Sequence, residues 1–339
     1  MLSRGVLRIS SGRRWWIQYD DPMDDGGAQG TVAPLTVSVV ICTYDRTRFE
    51  SLTDAVHRIR AQVRCPTEIV VVVNGNEALA REVNSTFAGV TVVESAHVGV
   101  SVARELGVQT ASGDIVAFID DDALPAPSWL ANLIEPFAAA NVMMTSGHID
   151  PLWITERPSW FPDEFLWVVG CSYRGLPGNG GVLRNPIGAS MAIRRSVIEA
   201  VGTFESRLGR VSTDGNGCEE TEYAIRAHHA LPDGVVVLAG DSTVQHLVPR
   251  ARTTFSYFVK RCWREGRSKA ILVEIAGRRE SLSAERAYVR SVLPRGVLRN
   301  LKTPATWSQS APIVAGVGTR ALGFIVFRIW LDLQKLLNR

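Results

Sequence analysis

Four short apolar, β-branched runs, three of them ending in a polar cluster, limit the folds open to this chain. They are LTVSVVICT (Leu35–Thr43) before Tyr44-Asp45-Arg46, EIVVVV (Glu68–Val73) before Asn74-Gly75-Asn76, Val90–Glu94, and DIVAFI (Asp114–Ile119) before Asp120-Asp121-Asp122. Runs this uniformly apolar suit strands covered on both faces. Between them, residues 51–63 and Val100–Thr110 repeat their apolar positions at helical spacing. Strands and helices alternating at this interval predict βαβ units and a mostly parallel sheet, an α/β fold. Ligands of such open sheets bind beyond the carboxyl ends of the strands, so the polar clusters are expected to line one crevice.

The pattern changes after Pro125. Ser128–Ala140 reads as a helix opened by a serine cap. An aromatic, proline-bearing stretch follows, with Trp153, Trp160, Phe161, Phe165 and Trp167. Such residues either pack between sheet and loop or offer flat faces to an acceptor. Asn185–Ile193 reads as a strand, Ser196–Val201 as a short helix, and CEETEYAIRAHHA as a helix with acids in its first turn, where the macrodipole favours them. Val235–Leu238 and Thr243–His246 read as two short strands. From Thr254 onward the pattern is helical and basic.

Charge is unevenly spread. Residues 1–250 hold 20 Lys+Arg against 29 Asp+Glu (net −9), and residues 251–339 hold 17 against 5 (net +12). The last quarter therefore faces something anionic. With 339 residues, 46% of them hydrophobic, the chain can fill a large core, which excludes global disorder. Five cysteines without a C-x-x-C pair exclude a zinc ribbon and a disulfide framework, and favour a reducing cytoplasm. The first 18 residues carry four arginines and no acid but lack a compact apolar core with a cleavage site, so no secretory signal is expected. Asp20–Ala33, acidic and Gly-rich, reads as a linker, giving a flexible extension over 1–34, a catalytic domain over 35–250 and a basic helical region over 251–339.

Three adjacent carboxylates repel one another unless positive charge lies between them. A divalent cation supplies that charge, and Mg²⁺ in particular binds through one or two carboxylates plus substrate phosphates. The alternative is a solvated acidic turn. Five segments then occur in order: VSVVICTYDR, EIVVVVNGN, GVSVARELGVQTASGDIVAFIDDD, IGASMAIRRSVIEAVGTF and CEETEYAIRA. In these the chain resembles the family 2 glycosyltransferases of the GT-A fold, over about Leu35 to Lys269.

The resemblance implies a Rossmann-like nucleotide-sugar-binding sheet with a C-terminal helical extension, and an inverting transfer of a single sugar from a nucleoside diphosphate sugar, UDP foremost, to a hydroxyl. By that likeness Thr43, Tyr44 and Asp45 hold the nucleotide. The family's second strand usually ends Val-Asp-Asn; here it ends Val73-Asn74, which leaves Asn74 and Asn76 as the polar residues for the base. Arg104 matches a position close to the diphosphate, with a surface ion pair to Glu105 or Asp114 as the alternative. Asp120 and Asp122 match the D-x-D motif, with Asp121 between them; Asp120 would contact ribose and Asp122 the metal, Mn²⁺ or Mg²⁺. His246 matches a histidine that completes the metal site, which suits Mn²⁺ better. The family presents an acid after the Gly-rich loop as general base; here that is Glu220, with Glu219 as its rival.

Arg261, Arg264, Arg267 and Lys269 fall on one helix, either to neutralise the leaving diphosphate or a phosphorylated acceptor, or, each taken singly, as solvated charges. Processive relatives carry Gln-x-x-Arg-Trp, for which this chain offers only Arg261-Cys262-Trp263. In Ala311–Leu337, the four charged residues Arg320, Arg328, Asp332 and Lys335 share one arc about 120° wide at helical spacing. No uninterrupted apolar run reaches the ~20 residues of a span. An interfacial helix on the anionic inner face of the cell membrane is expected, against docking of its apolar face on protein. A dinucleotide oxidoreductase is excluded, since CTYDRTR stands where G-x-G-x-x-G is required. A nucleic-acid partner is not expected, because the basic quarter holds no reader motif. A non-catalytic sugar-binding relative is the alternative.

Overall fold

The computed structural model describes residues 4–8, 14–18, 34–209 and 216–337. The predicted linker Asp20–Ala33 lies outside them, as do residues 210–215 of the Gly-rich loop. Two strands ahead of residue 34, β1 (Arg4–Arg8) and β2 (Arg14–Gln18), pair antiparallel as a separate ribbon.

The apolar runs form the parallel half of the main sheet. These strands are β3 (Val37–Thr43), β4 (Glu68–Asn74), β5 (Thr91–Ser95) and β6 (Ile115–Asp120), in the order β5-β4-β3-β6. Their alternation feeds two faces. Val39, Ile41, Val71 and Val73 bury against Leu52, Val56 and Ile59 of helix α1 (Phe49–Arg60). Val40, Val70 and Val72 bury on the other face, against Ala103 and Val108 of α3 (Val100–Thr110). Between them α2 (Glu77–Thr86) leads from β4 to β5.

The second half of the sheet holds β7 (Ala123–Pro125), β8 (Val142–Trp153), β9 (Val182–Leu183), β10 (Ser190–Arg194) and β11 (Val235–Val248). β10 lies antiparallel to β6 and β8, β11 parallel to β8, and β7 and β9 antiparallel to β11. This is the mixed, mostly parallel α/β sheet of the GT-A fold. β8 has no counterpart in the reading of the sequence. It carries Thr145, Ser146, Gly147, His148 and Asp150, which break the apolar pattern, while Thr145 and Ser146 lie buried in the sheet. The two strands expected over 235–246 are one, with its register shifted between Ala239 and Thr243.

The helix expected over Ser128–Ala140 is cut short. α4 (Trp129–Ile134) gives way to a 3-10 turn at Glu135–Ala138, where Pro136 lacks the amide an α-helix needs. Ser128 precedes α4 but makes no capping bond. α5 (Arg195–Val201) and α6 (Glu219–Ala230) follow as expected.

After the sheet come α7 (Phe255–Ala276), α8 (Arg278–Ser281), α9 (Ser283–Ala287), α10 (Leu293–Lys302) and α11 (Ser310–Leu337). Trp160, Phe161 and Phe165 pack with Phe258, Trp160 also with Phe255, and Trp153 backs Phe161, bolting α7 to the domain. α7 and α11 meet through glycine: a Cβ on Gly323 would lie 2.5 Å from the Trp263 carbonyl oxygen, and one on Gly266 2.8 Å from the Phe324 nitrogen.

Candidate active site

The carboxyl ends of β3, β4 and β6 open into one cavity of about 1180 Å³, lined by Thr43, Tyr44, Asn74, Asp120 and Asp121. Each of the three polar clusters thus reaches the expected crevice, but Asp45, Asn76 and Asp122 are not among its lining residues. Cys42 of β3 pairs with Asp120 of β6, and Thr43 with Val73, so the clusters sit side by side. Two expected nucleotide residues turn to local work. Asp45 Oδ1 accepts the Thr47 amide (2.9 Å), a bond that holds its carboxyl below the usual range. Asn76 Oδ1 caps α2 by accepting the Leu79 amide, and its amide group donates to the Tyr44 carbonyl, joining two loops of the rim. Asn74 Oδ1 accepts the Gly99 amide at 3.3 Å ahead of α3.

The triple aspartate divides its labour. Asp121 is buried, accepting from Thr43 Oγ1 and from Arg48 Nη1, each at 2.7 Å. Burial pushes its carboxyl up, against the pull of Arg48. Asp120 and Asp122 turn toward His246. Antiparallel pairing of β7 with β11 sets Ala123 opposite His246, so the imidazole arrives beside Asp122. His246 Nε2 lies 3.1 Å from Asp122 Oδ1 and 4.0 Å from Asp120 Oδ2. Burial opposes charge on the ring, but Asp122 dominates and raises it to about 10. Against the same burial, His246, Arg48 (3.3 Å) and Arg252 (3.8 Å) hold Asp122 far below the carboxylate range.

One ligand atom from each of Asp120, Asp122 and His246 lies within 4.8 Å of the others. Two carboxylates and an imidazole at this spacing fit a divalent cation of the Mn²⁺ or Mg²⁺ kind.

The second cluster lines the same cavity. Arg104 is buried and reaches α6 rather than Glu105 or Asp114: its Nη1 is 3.1 Å from Glu219 Oε1 and from Glu220 Oε1. Cys218, just before them, has φ 76°. That left-handed backbone costs a non-glycine residue on the order of 1 kcal/mol, a strain typical of functional turns. A Cβ at Gly188 would overlap both Glu220 Oε1 and Arg104 Nη2, so IGAS holds its glycine to leave room for this pair.

The sequence reading missed Arg48 and the role of Arg252. Both stand just past a strand end, opposite the acidic turn, and that complementarity was the available signal. Of the aromatic stretch, only Trp167 lines the cavity. Arg261, Arg264 and Lys269 line it too, whereas Arg267 lies over the Phe327 ring, 4.9 Å from its centroid.

The chain is similar to known proteins over most of its length. The profile of Glycosyl transferase family 2 matches residues 38–202. The glucosyl-dolichyl phosphate glucuronosyltransferase of Haloferax volcanii is 30% identical over 299 residues, 86% of this chain and 95% of that protein. The succinoglycan biosynthesis protein ExoM of Rhizobium meliloti is 23% identical over 246 residues, 70% of this chain and 75% of its own. Among solved structures, a mannosyltransferase of Pyrobaculum calidifontis in complex with GDP-Man and Mn²⁺ superposes with a TM-score of 0.54 at 19% identity, covering 85% of this chain and 88% of that one. That likeness speaks to the fold.

Proposed function

The chain belongs to the family 2 glycosyltransferases, and from that premise we propose that it moves one sugar, with inversion, from a nucleoside diphosphate sugar to a hydroxyl of a lipid-linked acceptor. One observation carries the reading: Asp120 and His246, which with Asp122 form a cation-competent set, line the same cavity as a glutamate pair held by Arg104. Inverting displacement needs those two functions on opposite sides of the anomeric carbon.

In this reading Thr43, Tyr44, Asp45, Asn74 and Asn76 form the nucleotide rim, and UDP is the expected carrier. Asp120 takes the ribose, Asp121 anchors the turn, and Asp122 with His246 holds Mn²⁺ or Mg²⁺. A cation held there would supply positive charge for the departing diphosphate. Glu220 accepts the acceptor hydroxyl's proton as its oxygen bonds to the anomeric carbon, and the bond to the diphosphate breaks with its electron pair. Glu219, the more buried of the two, braces Arg104, which keeps positive charge between base and donor.

The lipid-linked acceptor is supported by the name of the Haloferax relative and by α11. Pro304–Leu337 is long and apolar enough to cross a membrane by length and composition alone. Yet Arg320, Arg328 and Lys335 turn inward to Glu265 and Glu274 of α7. Leu322, Ile325, Ile329, Trp330 and Leu333 are left exposed on the opposite side. A helix tied along its length to α7 is suited to lie on a bilayer surface, at the cytoplasmic leaflet in our reading.

The test is a screen of UDP- and GDP-sugars with Mn²⁺ or Mg²⁺. Asp122→Ala is expected to lose metal-dependent donor binding, and Glu220→Gln to keep donor binding and lose transfer. Full transfer by Glu220→Gln would pass the base to Glu219, checked by Glu219→Gln; donor binding indifferent to Asp122→Ala and to the metal would defeat the reading.

A further inference from the structure

Resting on the lipid-linked acceptor just described, we propose that the wall of the cavity built by α7, α9 and α11 is a phosphoryl-binding subsite that takes the acceptor's phosphate. Four cations meet two carboxylates there. Glu285 receives Arg184 (2.6 Å), Lys269 (2.7 Å) and Arg320 (3.4 Å). Glu265 receives Arg261 (3.4 Å), Lys269 (3.7 Å) and Arg320 (3.9 Å). All six line the cavity, and none has a side chain more than 21% exposed. The cluster therefore carries an excess of two positive charges in a place poor in water.

Such an excess is expensive unless an anion completes it. Among the described residues, the remaining neighbours do not supply one. Burial pushes the Cys218 thiol up to about 12 and raises the Tyr173 phenol, so both stay neutral. Glu219 and Glu220 are already paired with Arg104. Arg261 still has a buried Nε without a hydrogen bond. Trp167, which also lines the cavity, stands beside two of the guanidinium groups, 5.9 Å from Arg261 and 5.7 Å from Arg320. Planar guanidinium forks match phosphoryl oxygens two at a time.

The position is right for an acceptor. A Cβ on Gly217 would lie 3.3 Å from Arg261 Nη2, and Cys218 Sγ donates to Glu265 Oε1 at 3.4 Å. The cluster thus abuts the turn that delivers Glu219 and Glu220. The donor's diphosphate belongs at the Asp122 end.

The full chain, with Mn²⁺ and saturating UDP filling the donor end, is titrated calorimetrically with farnesyl monophosphate, farnesol and inorganic phosphate. Farnesyl monophosphate is expected to bind at least about tenfold more tightly than either of the others. Arg261→Gln should weaken it about tenfold while UDP affinity stays within about twofold. Glu285→Gln raises the excess to three charges and should tighten it, a gain no scaffold role would produce; thermal melts confirm that both variants fold. Equal affinity for farnesol and its phosphate overturns the subsite. Equal affinity for inorganic phosphate overturns the acceptor assignment, and a parallel loss of UDP affinity gives the cluster to the donor. Because binding is read without turnover, a chain that binds farnesyl monophosphate but transfers no sugar retires the proposed function and keeps the subsite.

Discussion

Gly188 is the tightest point of the active site, because its hydrogen occupies space that a methyl group would take from Glu220 and Arg104. Gly188→Ala must push the carboxylate, the guanidinium or both aside. Displacing a catalytic group by about 1 Å costs on the order of 100-fold in rate. The variant is expected to lose kcat by about that factor with donor KM little changed, measured by steady-state kinetics beside a thermal melt. Arg48 makes a different case. It neutralises Asp121 and reaches Asp122, so Arg48→Gln leaves buried carboxylates short of positive charge. Removing one partner of a buried pair costs about 3–5 kcal/mol, and because Arg48 is about a quarter exposed the lower end applies. Mn²⁺ should then raise the melting temperature of Arg48→Gln more than that of the wild type; an equal rise in both would show that Arg48 and the cation do not share the carboxylates.

At the scale of elements, the basic region is held by carboxylates that must stay ionised. Glu265 pays for burial, but Lys269, Arg261 and Arg320 outweigh that and hold its carboxyl at about 2, below an ordinary value of 4.5. A carboxyl depressed by folding adds stability above its unfolded value and loses it as pH falls through the folded one. The urea stability gap between wild type and Glu265→Gln is therefore expected to be constant above pH 4.5 and to shrink as pH falls toward 2. A gap that ignored pH in that window would mean that the pairs contribute nothing. The elements also divide by how legible they were. β3, β4 and β6 stood out because a strand covered on both faces must be apolar throughout, and the clusters at their ends marked the crevice. β8 did not, because its buried Thr145 and Ser146 break the apolar pattern and are satisfied by partners outside the strand, Thr145 by the Leu133 carbonyl oxygen and Ser146 by the Ile187 amide. The D-x-D turn and the Glu pair were readable as motifs. Their shared restraints, Arg48 from α1's approach and Arg104 bridging to α6, depend on contacts 73 to 116 residues apart that no local pattern encodes.

For the whole molecule, the question is why a helix would turn its charges inward. A surface helix of a water-soluble protein buries its apolar stripe; α11 does the reverse over much of its length, spending Arg320, Arg328 and Lys335 on α7 and α9 and leaving Leu322, Ile325, Ile329 and Trp330 exposed. At 1.5 Å per residue its 28 residues run about 42 Å, a long apolar edge for one molecule to leave in water. Exposed basic residues of the neighbouring elements, among them Arg278, Arg279, Arg286, Arg290 and Arg295, add attraction of about 1 kcal/mol each where they approach an anionic leaflet. Each large apolar side chain fully removed from water contributes about 1.5–3 kcal/mol. Replacing Ile325 and Ile329 with Glu should therefore cut binding to anionic vesicles by at least about tenfold, in a sedimentation assay, while transfer to a soluble short-chain acceptor is unchanged. Raised salt should weaken the wild type through the basic residues alone, and leave a remnant that the double variant lacks. If the double variant instead sediments with vesicles as the wild type does but converts a dimer into a monomer, the apolar edge is a seam between two copies and the bilayer has no claim on it.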